Sequence, residues 1–164
     1  MTEEPSGRRP ETRAMSSDEY RAMSIDEYLR FDTGLDPERL ISMVRSDQRA
    51  EDDMVARARG ASLLDGVLVF ELFLDRHRRL SMSPGVRRLT RDEVFAGRDP
   101  EEVRKALLRA RALFGDAGRY GDDALSRRTP LDNERLRAEM RRDHPGFSDK
   151  SYTDVLMRGM FLMR

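Results

Sequence analysis

Two histidines, no cysteine and 31 acids against 31 bases limit the chemistry open to this 164-residue chain. His77 lies in Asp75-Arg-His-Arg-Arg, where neighbouring positive charge disfavours both an imidazolium and a bound cation. His144 precedes Pro145 at a helix end, a position suited to capping carbonyls. No histidine pair has the i,i+4 spacing that sets two zinc ligands on one helical face, and no thiolate is available. His144, Ser148 and Asp149 supply the residue types of a hydrolase triad. No nucleophile-elbow glycine pattern surrounds Ser148, however, and helix capping accounts for it. The acids Glu51-Asp52-Asp53 and Asp122-Asp123 are adjacent, so on a helix they diverge and cannot converge for acid–base work. Gly115, Gly118 and Gly121 are not followed by Lys-Ser/Thr, so no phosphate-cradling loop is present. The expectation is a chain with no catalytic residues, no metal and no cofactor, more in keeping with a non-enzyme.

Two features stand above this background. Arg76, Arg78, Arg79, Arg87, Arg88 and Arg91 place six positive charges in sixteen residues with no acid between them. Such a connector could hold phosphates in a salt-dependent way, or meet acidic protein surface. It lacks interleaved aromatics, and the whole chain carries zero net charge, so a protein-facing role is favoured over nucleic acid. The second feature is the apolar C-terminal stretch, in which Met157, Met160 and Phe161 are candidates for hydrophobic contact with a partner helix.

The elements that position these residues follow from helix punctuation. Ser16-x-x-Glu19, Ser24-x-x-Glu27, Asp36-Pro37-Glu38, Thr90-x-x-Glu93, Asp99-Pro100-Glu101, Thr129-Pro130-x-Asp132 and Ser148-Asp149 all read as helix starts. The spacing predicts a helix from Pro37 to about Arg59, either continuous with an exposed polar waist or broken near Asp47. Residues 61–75 are the most apolar segment. Val67-Leu68-Val69-Phe70 alone would suit a buried strand. The length of the full run, and the common face of Leu63, Val67, Phe70 and Leu74, favour a central buried helix. Helices over Pro100–Phe114, Pro130–Asp143 and Asp149–Met163 follow, with the Gly115–Gly121 stretch as a loop before a short helix at Ala124.

Residues 1–14 have no apolar periodicity and read as a disordered tail, with 15–164 forming a single all-α domain of six or seven helices. Met15-Ser-Ser-Asp-Glu-Tyr-Arg-Ala22 is echoed by Met23-Ser-Ile-Asp-Glu-Tyr-Leu-Arg30. The second copy carries Ile25, Tyr28, Leu29 and Phe31 and should dock on the core. Residues 1–60 hold 14 acids and 10 bases, whereas 61–164 hold 17 and 21, so the two parts carry −4 and +4. No apolar run reaches the ~20 residues of a membrane span, and no leader-like h-region opens the chain. A cytoplasmic location is therefore expected. The function expected is a protein–protein interaction or regulatory module, of the kind a small bacterial adaptor provides. Its partner would be another protein or a second copy of the chain, with nucleic acid at 76–91 as the alternative and no membrane contact.

Overall fold

Short polar side chains set the helix starts, and the apolar faces between them set the packing. The computed structural model describes residues 36–78, 88–127 and 130–162, together with Ser24, Glu27 and Val86. These residues form six helices longer than one turn and a single-turn helix, with no strand among the described residues. The all-α expectation holds. The proposed tail 1–14 and the Ser16 and Thr129 starts lie outside the described residues.

Helix α1 (Pro37–Gly60) starts where the Asp36 carboxylate accepts from the Glu38 amide at 3.3 Å, with proline in the first turn. It runs unbroken through the polar waist. Leu40, Val44, Met54, Val55 and Ala58 turn inward, and so does Glu51. The sequence suggests a waist that is polar and exposed; Glu51 instead goes inside because the Leu89 amide donates to its carboxylate at 3.0 Å.

Helix α2 (Leu63–Arg78) is the ambiguous apolar segment, and it is helical. Val67, Leu68 and Phe70 are all but fully buried, and α2 touches α1, α4 and α7, which makes it the central element. Its approach to α1 is close: a Cβ on Gly66 would stand 2.2 Å from the Ala58 carbonyl oxygen. Helix α3 (Arg91–Val94) is one turn closed by a complete capping box between Thr90 and Glu93. A lone turn cannot hold itself. Here Arg59 donates to the carbonyl oxygens of Glu93 and Val94, at 2.9 and 3.1 Å, while Phe95 seats edge-on against Phe70.

Helix α4 (Pro100–Gly115), capped by Asp99, lays Ala106, Leu107, Ala110 and Leu113 into the core. Helix α5 (Ala117–Arg127) corrects the expected loop at Gly115–Gly121. Glycine there breaks nothing, because tertiary packing uses the missing side chains. A Cβ on Gly121 would lie 2.1 Å from the Gly159 carbonyl carbon, and one on Gly159 would lie 1.8 Å from the Ala117 carbonyl oxygen. Helices α5 and α7 therefore cross backbone on backbone. Helix α6 (Pro130–Asp143) buries Leu136 and Met140 completely and ends in a turn where Gly146 takes φ +94°.

Helix α7 (Asp149–Leu162) buries Tyr152, Val155, Leu156 and Gly159 and packs beside α2, as expected. Its start is tied to that of α2 by Asp65, whose carboxylate accepts from the Ser62 hydroxyl (2.7 Å), the Ser148 amide (2.8 Å) and the Ser151 hydroxyl (2.7 Å). One side chain thus serves two helix N-termini. Burial of this carboxyl works against its charge, but the Ser148 amide and the serine hydroxyls outweigh it and hold it below the usual aspartate range.

Candidate functional site

The residue types of the supposed triad are each claimed separately. His144 Nε2 stands 2.9 Å from the Asp116 carboxylate, with the ring edge-on to Tyr120. Ser148 Oγ lies 3.3 Å from Ser151 Oγ, and Asp149 is paired with Arg141 at 2.8 Å. The Tyr120 hydroxyl donates to Asp143 at 3.2 Å. Burial raises the Tyr120 hydroxyl above its ordinary range, and the Asp143 carboxylate adds to the shift although Arg119 opposes it. The acids of the waist diverge: Glu51 is inside, Asp52 accepts from Gln48, and Asp53 faces a surface groove. No group of three potential metal ligands gathers among the described residues.

The basic connector is divided rather than gathered into one patch. Arg91 pairs with Glu71 at 3.3 Å, and the same carboxylate takes Arg111 at 2.9 Å, so this buried acid pins α2 to α3 and α4. Arg88 is exposed near Glu51. Arg76 is exposed at the far end of α2, with no ion-pair partner among the described residues. Arg79, Arg87 and the Arg78 side chain lie outside the described residues.

The C-terminal candidates also separate. Met160 packs against the main core, whereas Met157 and Phe161 are 60% and 64% exposed. Those two sit four apart, hence on one face of α7. The Arg158 guanidinium lies 5.2 Å from the centre of the Phe161 ring and is ion-paired with Asp75 of α2.

Between α1, α2 and α7 runs an open groove of about 610 Å³ whose lining includes Met157. Its apolar lining includes Met54 from α1 and Val69, Leu72 and Phe73 from α2; its charged rim sets the bases Arg57, Arg76, Lys150 and Arg158 among the acids Asp47, Asp53 and Asp154. Arg57 and Lys150 both hold Asp154, at 3.3 and 2.8 Å, which fixes one wall. The groove is a surface for apolar contact with a charged border, and it brings no converging nucleophile, base or ligand set together.

The chain matches no family model, no curated protein and no solved structure.

The groove was not legible in the sequence. In the sequence, charge singles out Arg76 and apolar surplus singles out Met157. Only the crossing of α7 over α2 places them on one border. Among the described residues, no helix is long and apolar enough to cross a membrane.

Proposed function

We propose that the chain is a non-enzymatic protein–protein interaction module whose contact face is the outer side of α7, at Met157 and Phe161, with the adjoining groove. The observation that carries this reading is the exposure of two large apolar side chains on one helix face beside an apolar-floored groove. Single exposed hydrophobics such as Leu108 on α4 are ordinary; a pair continuous with a groove marks a contact surface. Among the described residues, His144 meets Asp116, Ser148 caps α7 and Asp149 pairs with Arg141, each separately.

A photo-reactive phenylalanine analogue placed at Phe161 in the native cell tests the reading. The expected result is a discrete cross-linked adduct, to another protein or to a second copy, that is not formed from Leu108, which is 58% exposed. Absence of an adduct, or the same adducts from both positions, overturns it. If nucleic acid is the partner instead, the full chain binds duplex DNA or RNA at low salt, and Arg76→Ala and Arg88→Ala weaken that binding along with added salt.

A further inference from the structure

We propose that Met157 is a modification site: a peroxide converts its thioether to the sulfoxide, and the outer face of α7 then loses its apolar partner. The oxidation is a property of the chain alone; only its effect on a partner rests on the interaction reading.

The chain has ten methionines and no cysteine, so every oxidisable sulfur in it is a thioether. Burial separates the described ones. Met54 and Met140 are 3% and 0% exposed, and Met160 packs against the main core. Met43 on α1 is 44% exposed, and Met157 at 60% is the most open among the described methionines. Met54 and Met157 line the same groove from different helices, so the groove holds one sheltered and one open thioether side by side. An oxidant in solution therefore meets the sulfur of Met157 long before that of Met54.

Position gives the change its consequence. Met157 lies between the apolar lining of the groove and Phe161, which stands four residues on along the same helix face. Met43 does not line that groove. With hydrogen peroxide, the sulfur lone pair attacks one oxygen, the S–O bond forms as the O–O bond breaks, and the sulfur gives up two electrons. The proton on the transferred oxygen passes to the departing hydroxide, which leaves as water. The product is polar and chiral, with an acceptor oxygen where an apolar side chain stood. Contact with an apolar partner strips that oxygen of water without returning a donor, so the oxidised face binds less well. A methionine sulfoxide reductase restores the thioether with electrons from a thiol pair, which makes the change reversible. A seated partner covers Met157, so oxidation acts on the free chain.

The test has two arms. The purified full chain is treated with hydrogen peroxide, and the sulfoxide at each methionine is followed by peptide mass spectrometry. Met157 is expected to oxidise at least about tenfold faster than Met54 and Met140, and a sulfoxide reductase to reverse it. In cells carrying the photo-reactive analogue at Phe161, a brief peroxide pulse is expected to lower the adduct about tenfold. Met157→Leu, which has no sulfur to oxidise, should keep the adduct through the pulse. Met157→Gln, polar and uncharged like the sulfoxide, should lower it without peroxide. Because Met157 is largely exposed, both variants keep the core intact, which circular dichroism checks. Equal oxidation rates at Met157 and Met54 overturn the proposal. So does an adduct lost as readily in Met157→Leu, which would place the sensitive group on the partner. Absence of any adduct from untreated cells sinks the interaction reading instead, and the oxidation map, taken without a partner, stands apart from it.

Discussion

Replacing Asp65 with alanine removes the acceptor shared by the starts of α2 and α7, and the cost can be worked from its bonds. The carboxylate takes the Ser148 amide at 2.8 Å and the hydroxyls of Ser151 and Ser62 at 2.7 Å each. A lost cap costs about 1 kcal/mol, and a hydrogen bond to a charged group about 1.5–3 kcal/mol when its partner is left dry. The site is partly open, so water replaces some of what is lost, and the expected destabilisation is about 2 kcal/mol. For a chain of this size that lowers the melting temperature by about 4–8 °C, read by circular dichroism at 222 nm. The pH dependence provides a second reading. Burial of Asp65 opposes its charge, but the Ser148 amide and the serine hydroxyls prevail and depress its pKa. A depressed carboxyl stabilises the fold fully above the unfolded value, about 3.9, and loses that contribution as pH falls through the folded value. The gap between wild type and Asp65→Ala should therefore be constant from about pH 5 to 8 and narrow below about pH 4. A melting shift under about 1 °C at neutral pH, or a gap that widens in acid, refutes the double-capping argument.

Three further outcomes follow from the packing. Glu51 has its pKa raised because burial outweighs the Leu89 amide and the nearby Arg88; a raised carboxyl weakens the fold as pH rises through its folded value, so Glu51→Gln should gain on wild type from acid to neutral pH in denaturant titrations. Glu51→Ala, which leaves the Leu89 amide without its acceptor, should instead cost about 1–3 kcal/mol at neutral pH. Gly159→Ala should cost about 3 kcal/mol by forcing α5 and α7 apart, whereas Gly118→Ala, whose added Cβ meets nothing within 4 Å, should be neutral or stabilising by up to about 1 kcal/mol; thermal melts of the pair separate crowding from helix propensity. Phe161→Ser should leave the denaturation midpoint within about 0.5 kcal/mol of wild type, because its side chain is 64% exposed.

The helices were legible wherever a local signal decides them. Asp36, Thr90, Asp99 and Ser148 each cap the helix their spacing announces, because a cap is a contact among neighbours in sequence. Ser62, which precedes an apolar run, is a further start of the same kind: Ser62 Oγ accepts from the Asp65 amide at 3.2 Å, and the pattern Ser-x-x-Asp was there to find. Features that depend on a partner distant in sequence carry no such local signal. Gly118 and Gly121 looked like a loop because propensity penalises glycine in a helix, yet at Gly121 close packing against Gly159 overrides that penalty. Glu51 looked exposed because the Leu89 amide that accompanies it indoors is 38 positions away. The site was half legible for the same reason: charge marked Arg76 and apolar surplus marked Met157, but their common groove exists only once α7 lies over α2.

The glycine crossing has a further consequence for the exposed end of α7. Met160 and Phe161 follow directly on Gly159, whose backbone is pressed against α5 with no side chain between to shift or repack. Whatever meets Phe161 meets a main chain that has already lost its freedom during folding. Binding at that face then avoids most of the ordering entropy that a frayed helix end would demand on contact. The two glycines thus hold this part of α7 backbone to backbone against α5.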